Sequence, residues 1–286
     1  MTNKIITANR LTATGKLDSL ASSTGNYLPI LLGRMDISMV SDGSDLLGSA
    51  ATTPYWAFDH ANGTVTKLTE GAGSFVRGVF NDSSSGTAWN KILFKFPTAI
   101  ENEVYIQFYA RKTAGGFPKF VKVYGKSSSG SSNTTFKGGD YVVGEITGIS
   151  YGDGSTTSND TTFGVSYAPG KDAESYVGGA DRNTLPRSFE HGDTFQASEW
   201  GDGTVWHKFQ FRLKYNSGTT ALNEVNDGIL ESWIDGQLRV KATNIFNRHY
   251  SNLPIDYIEF LSYTQGAPAF TMDMKNITIS KYGWID

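Results

Sequence analysis

The chain has 286 residues and a formal net charge of −3, so it lacks the basic composition of a nucleic-acid-binding domain. It contains no cysteine, which excludes disulfide bonds and cysteine-based zinc sites. No apolar run is long enough to span a bilayer, and the first residues, MTNKIITANRLTATGKLDSL, lack the apolar core of a signal peptide. We therefore predict no nucleic-acid partner, no membrane span and no secretory signal.

Residues 1–50 are rich in Ser, Thr, Gly and Ala and contain one apolar cluster at 27–32. We interpret them as an extended N-terminal arm or anchoring segment, with residues 51–286 as one β domain. Two interpretations of the arm stay open. It is either a strand that lies on the domain or an anchor that docks on a neighbouring subunit.

Alternating apolar and polar residues predict strands throughout the rest of the chain. The clearest lies at 103–112, where Val104, Ile106 and Phe108 alternate with polar residues. Other strands are predicted at 88–96, 117–124, 141–150, 161–167, 255–263 and 271–282. No useful helical period occurs, and the Gly- and Ser-rich stretches 127–133 and 151–160 are predicted as solvated loops. The chain is therefore predicted to be all-β.

Residues 205–244 carry the most regular pattern. Phe209, Phe211 and Leu213 alternate with Lys and Arg, and Asp-Gly pairs at 227–228 and 235–236 mark tight turns. They predict three consecutive antiparallel strands. His207 shares the core side, whereas Trp206 falls on the polar side by parity but is assigned to the core because strand ends twist.

This segment, WHKFQFRLKYN followed by NDGILESWIDGQLRVKATNI, resembles the late strands of concanavalin A-like jelly rolls, above all polysaccharide-lyase and laminin-G-like domains. The upstream stretch EVYIQFYARKTAGGFPKFVKVYGK resembles part of the same lyase-like jelly rolls, with a partial match at 115–119. Together the resemblance spans roughly 88–286. It implies an antiparallel jelly-roll β-sandwich and points to sugars as ligands.

In a jelly roll the far side of one sheet is free to form a groove. Aromatic rings there stack on pyranose faces, and amides or guanidinium groups bind hydroxyls and carboxylates. The glycan-binding candidates on the polar sides of the strands are Tyr105, Gln107, Tyr109, Arg111, Gln210, Arg212, Glu231, Trp233, Tyr257 and Glu259. Trp233 shares a side with Glu231, so it is either a ligand contact or covered by a loop. The alternative interpretation of the whole set is an ordinary solvated or subunit-contacting face.

Catalysis has weaker support. A lyase needs a base and a group that neutralises the uronate carboxylate, for which the candidates are Tyr109, Arg111, His191 and Tyr263. The alginate-lyase motif Tyr-Phe-Lys-Ala-Gly has no match at 134–145, and the glucanase pattern Glu-x-Asp-x-x-Glu is absent. We therefore assign no catalytic residue.

Two loops, 41–45 and 152–160, contain Asp with Ser, Asn and Gly, as calcium loops do. Asp-Gly is also the commonest turn pair, and neither loop has a full ligand pattern. We assign no metal ligand, and Ca²⁺ is the one cofactor left open.

Jelly rolls that resemble lyases and lectins recur in bacteriophage particles. The resemblance therefore implies a non-enzymatic structural or decoration protein of a phage virion, with a lectin-like domain. Its expected partners are other virion proteins, further copies of itself in a homo-oligomer, and surface glycans. The alternative is a polysaccharide lyase or another enzyme that acts on acidic polysaccharides.

Overall fold

A computed structural model describes residues 29–47, 55–81, 87–100, 103–113, 121–125, 141–148, 163–166, 188–192, 197–214, 217, 227–245, 255–261, 263–265 and 268–285. These residues form sixteen strands and a 3-10 turn at Ala197–Trp200, with no α-helix among them. Within these ranges no helix is long and apolar enough to cross a membrane. The predicted loops 127–133 and 151–160 lie outside the described residues.

The larger of two sheets has nine strands. In spatial order they are β10 (Ser188–Gly192), β13 (Gln237–Ile245), β12 (Gly228–Ile234), β11 (His207–Lys214), β6 (Glu103–Lys112), β16 (Phe270–Lys281), β4 (Gly73–Phe80) and β3 (Gly63–Glu70), while β1 (Ile30–Arg34) also pairs with β16. The predicted ladder of three antiparallel strands is confirmed as β11, β12 and β13. Asp235 and Gly236 have the positive φ angles of the predicted turn.

The smaller sheet has seven strands. Their order is β15 (Tyr263–Gln265), β5 (Thr87–Ile100), β14 (Ile255–Phe260), β7 (Val121–Gly125), β8 (Tyr141–Gly148) and β9 (Phe163–Ser166), with β2 (Trp56–Ala61) on β5. Neighbouring strands pair antiparallel in both sheets. The all-β prediction is thus confirmed.

The hydrophobic core lies between the two sheets. In β11 every second residue is buried, starting at His207, so the period-2 pattern of the sequence is also the burial pattern. Phe108 of β6 stacks on Phe209 of β11 with ring centres 5.5 Å apart. Its edge meets Phe260 of the smaller sheet at 5.7 Å. The contact with Phe260 joins the two sheets face to face, and burial of each such ring contributes about 2 kcal/mol.

The described part of the N-terminal arm, residues 29–47, packs on this sandwich. β1 pairs with β16, and Met35, Ile37 and Leu46 are buried in the same core. The backbone N–H of Leu46 donates to Val65 on the outer edge of β3. The segment therefore covers an edge that would otherwise be open to pairing with another chain.

Candidate functional site

The candidate site is the outward side of the nine-stranded sheet across β12, β11, β6, β16 and β4. Direct cross-strand pairing sets its rows. One row runs Trp233–Gln210–Gln107, and the next runs Lys208–Tyr109–Lys275. We call the residues Tyr105, Gln107, Gln210 and Trp233 the aromatic end of the face, and Trp206, Lys208, Tyr109, Arg111 and Lys275 its basic end.

Asp273 is the centre of an ion-pair network at the basic end. Its carboxylate is 4 % exposed and accepts a hydrogen bond from Arg77 Nε at 2.7 Å and another from Arg111 Nε at 2.8 Å. Arg111 also donates from Nη1 to Glu70 at 2.9 Å. These bonds raise the pKa of Arg77, through its hydrogen bond to Asp273, and lower that of Glu70, through its hydrogen bond from Arg111. The described bonds of Arg111 are therefore directed at two carboxylates of the protein itself.

Trp206 lies on this outward face, half-buried, so its assignment to the core was wrong. Its Nε1 donates to Glu70 at 3.0 Å, and the edge of its ring meets Phe75 at 5.6 Å. The Arg111 guanidinium and the Lys275 ammonium lie 4.4 Å and 3.9 Å from its ring centre. Residue 206 keeps the outward side that strand parity gives it, because cations and a second aromatic ring pack against the Trp206 ring outside the core.

A row of two lysines and a tyrosine crosses the basic end. Tyr109 of β6 pairs directly with Lys208 of β11 on one side and with Lys275 of β16 on the other. Burial lowers the pKa of Lys275, and the Glu70 carboxylate opposes that shift. Two lysines thus flank a tyrosine in the strand register, and these residue types are suited to carboxylate and hydroxyl groups of a ligand.

The aromatic end is covered by the protein's own segment Tyr282–Ile285, which we call the strap. The Trp284 ring meets Tyr105 edge-on at 5.1 Å and Trp233 at 4.8 Å. Gln107 donates its amide N–H to the Ile285 carbonyl, and Gln210 donates to Gln107 at 3.3 Å. Trp233 is therefore outside the core, as predicted, and the group above it is a segment of this chain.

Charged residues border the aromatic end. Arg212 donates to Glu103 at 2.7 Å and to Glu231 at 3.1 Å. Tyr105 donates to the same Glu103 at 3.1 Å. Burial, together with the negative charge of Glu103, raises the pKa of Tyr105 to about 12, so this phenol stays protonated at neutral pH.

Two of the predicted glycan-binding residues lie elsewhere in the fold. Tyr257 and Glu259 belong to β14 of the seven-stranded sheet, where Glu259 lies 3.5 Å from Lys91 Nζ. Their grouping with the residues of β6, β11 and β12 is corrected accordingly. Alternation assigns a residue to a side of its own strand but not to one of two sheets.

The residues proposed for a lyase are also separated. Tyr109 and Arg111 share β6, but Tyr263 belongs to β15 of the other sheet. His191 belongs to β10, four strands from β6, which is about 19 Å at the usual strand spacing. These four residues therefore belong to three strands, β6, β10 and β15, in two sheets.

Sequence reasoning missed the β16 and β4 contributions, namely Asp273, Lys275, Arg77 and Phe75. The register of β16 on β6 shifts between Lys275 and Thr278, so its polar residues change parity within one strand. Asn276, inside this bulge, has a φ of 52°. The sequence signal available was the alternation of Met272, Asp273, Met274 and Lys275.

Within the described ranges, no group of three or more His, Cys, Asp or Glu residues is placed to hold a metal ion. In the loop 41–45, Asp45 pairs with His60 Nε2 at 3.0 Å and accepts from the Leu47 N–H. The other candidate calcium loop, 152–160, lies outside the described residues.

No protein-family model and no curated protein matches this sequence. Solved structures share its architecture. Alginate lyase vAL-1 from Chlorella virus superposes with a TM-score of 0.55 at 13% identity, covering 88% of this chain and 100% of that chain. The fold is a concanavalin A-like jelly roll. The predicted fold is thereby confirmed, and the candidate face lies on the larger sheet of the jelly roll.

Two further structures are similar at lower scores. Endo-beta-1,4-glucuronan lyase from the fungus Trichoderma reesei has a TM-score of 0.45 at 11% identity, covering 84% of this chain and 96% of that chain. The carbohydrate recognition domain of Emp46p has a TM-score of 0.42 at 15% identity, covering 85% of this chain and 96% of that chain. At 13% identity, the likeness to alginate lyase vAL-1 establishes the fold and not the activity.

Proposed function

We propose that this chain is a glycan-binding jelly roll in a bacteriophage virion protein and that it binds acidic polysaccharides at the basic end of its larger sheet. The observation that carries the proposal is the row Lys208–Tyr109–Lys275 with Trp206 beside it. Its action is binding and not cleavage.

The row matches a chain of uronates in charge and in extent. Lys208 and Lys275 belong to strands on either side of β6, about 10 Å apart at the usual spacing. A polysaccharide that crosses the strands therefore meets a lysine on each strand that neighbours Tyr109. Such contacts with carboxylates are charge-assisted and depend on salt.

The surroundings of Tyr109 favour binding over elimination. A lyase must hold the base and a group that neutralises the carboxylate around one sugar. Arg111, the guanidinium on the same strand, is engaged by Asp273 and Glu70. His191 and Tyr263 belong to β10 and β15, neither of which neighbours a strand of this row.

The virion role has separate support. The sequence resembles jelly rolls that recur in phage particles, and this resemblance is the support for the role. The proposed partners are other virion proteins and further copies of this chain. Mass spectrometry and immunogold labelling of purified particles test this role, and a protein absent from the particles contradicts it.

Isothermal titration calorimetry with hexa-mannuronate and with cellohexaose tests the glycan-binding role. We expect the acidic hexasaccharide to bind more tightly, with an affinity that falls as salt is added. Lys275→Ala and Lys208→Ala should each weaken it about fivefold, since an exposed charge contact contributes about 1 kcal/mol. Lys95→Ala is the matched control, because Lys95 is an exposed lysine on the other sheet.

A cleavage assay separates the lyase alternative. Release of unsaturated uronate from alginate or glucuronan, measured by ultraviolet absorbance and lost in Tyr109→Phe, would establish the enzyme. We expect binding without such products. Failure of the wild-type protein to bind any acidic oligosaccharide would refute the proposal.

A further inference from the structure

We propose that the aromatic end is a second carbohydrate subsite, specific for neutral pyranose units and closed by the strap Tyr282–Ile285. The inference rests on the proposed glycan-binding role of the same face. It adds a ligand class that the basic end does not favour and a segment that controls access to it.

The strap places an aromatic ring where a sugar ring would lie. Tyr105 and Trp233 belong to strands separated by β11, about 10 Å apart. Trp284 fills the interval and touches both rings edge-on, at 5.1 Å and 4.8 Å. When the strap is lifted, a slot with two aromatic walls remains, and a pyranose presents the apolar C–H faces that such walls bind.

The polar contacts of the strap also resemble those of a ligand. Gln210 donates to Gln107, and Gln107 donates to the Ile285 carbonyl. Gln107 is buried in the closed form, and its N–H becomes available to an acceptor on a ligand once the strap leaves. A sugar hydroxyl supplies that acceptor and can also donate to neighbouring oxygens.

Closure of the strap carries two unfavourable features. Tyr282 has a φ of 67°, a left-handed conformation that a residue with a Cβ disfavours. Trp284 Nε1 is buried, and no acceptor within the described part of the chain reaches it. Opening relieves both features, so the closed form is one that a ligand can displace.

Charge divides the two ends of the face. At the aromatic end the carboxylates of Glu103 and Glu231 both accept from Arg212, and their direct cross-strand partners include Lys214 and Lys241. The acidic and basic groups there are paired with each other within the protein, which leaves neutral sugars as the fitting ligands. The basic end carries Lys208 and Lys275 on either side of Tyr109, so the two ends take different glycans.

The test compares the wild-type chain with a variant that lacks residues 283–286, titrated with cellohexaose, laminarihexaose and mannohexaose. If the strap closes about nine-tenths of the molecules, its deletion raises the apparent affinity about tenfold, because affinity scales with the open fraction. The gain should be insensitive to salt. Adding Trp233→Ala to the deletion variant should abolish it, and adding Lys95→Ala should not.

Trp284→Ala in the full chain is the second variant, and it decides the question if the deletion impairs folding as judged by circular dichroism. It should also raise the affinity for a neutral hexasaccharide. A folded variant that binds none of the three sugars more tightly overturns the inference, as does a gain that survives Trp233→Ala. Failure of the wild-type chain to bind an acidic oligosaccharide would instead refute the proposed function. The two failures are therefore distinguishable.

Discussion

The ammonium nitrogen of Lys275 lies 3.9 Å from the centre of the Trp206 ring. This contact joins β16 to the start of β11 across the outward face of β6, and Glu70 accepts a hydrogen bond from the same indole. Trp206 therefore holds a cation of the proposed binding row in position without entering the core.

Replacing Trp206 tests this positioning. Trp206→Ala should lower the free energy of unfolding by about 1–2 kcal/mol, since it removes cation–π contacts and the edge contact with Phe75. It should also weaken binding of hexa-mannuronate. Trp206→Phe retains a ring and should recover most of the stability, measured by denaturant unfolding. Equal loss in both variants would show that the ring does not carry the effect.

Asp273 should be the most sensitive charged residue of the face. Asp273→Asn leaves Arg77 and Arg111 without their buried counter-charge, so we expect a loss of about 3 kcal/mol in the free energy of unfolding. Glu70→Gln is the matched control, because this carboxylate pairs with Arg111 but is 51% exposed. It should remain close to wild type. Denaturant unfolding measures the free energy of unfolding of both variants. Similar losses of stability in the two would contradict the role of burial.

Lys112 should destabilise the protein at neutral pH. Burial lowers its pKa from 10.5 to about 8, although its Nζ donates to the Thr113 carbonyl at 2.8 Å. The unfolded chain therefore binds more protons than the folded one between pH 8 and 10.5, and stability rises with pH across that window. The penalty is fully present below pH 8.

Lys112→Met should consequently stabilise the protein at pH 7 by up to about 3 kcal/mol, the free energy of that pKa difference. The advantage over wild type should shrink as pH rises from 8 to 10.5. Thermal and denaturant unfolding of both proteins across this range provide the measurement. A stability difference that does not change with pH would exclude Lys112 titration as its source.

Gly203 should tolerate substitution less well than Gly43. Both have left-handed φ angles, 84° and 75°, but a Cβ on Gly203 would lie 3.1 Å from the Lys112 carbonyl oxygen, whereas one on Gly43 would meet nothing within 4 Å. Gly43→Ala should cost about 1 kcal/mol, the penalty of the conformation alone. Gly203→Ala should cost measurably more in denaturant unfolding, and equal costs would contradict the close approach.

Much of the larger sheet was predictable from alternation. The outward residues of β6 and β11 were assigned correctly, including Gln107 and Arg212, because strand parity is a local property of the backbone. The turn at Asp235-Gly236 was predictable for the same reason, since it depends on the φ preferences of two residues.

Other parts of the candidate site had no such local signal. The same alternation placed Tyr257 and Glu259 with the wrong sheet, because the strands of both sheets have the same two-residue period. The bulge after Lys275 changes the parity of β16. Twist at the strand end predicts a core position for Trp206, whereas its partners lie outside the core.

The amino-acid sequence by itself determined the all-β class, the strands of the 205–244 segment and the two sides of each strand, because these follow from a two-residue period and local turn chemistry. Only the tertiary structure decided which strands are neighbours, and hence that Lys208, Tyr109 and Lys275 form one row. It also placed Trp284 over Tyr105 and Trp233. Both arrangements join residues far apart in the chain, and packing between sheets and strands, which no local pattern encodes, brings them together.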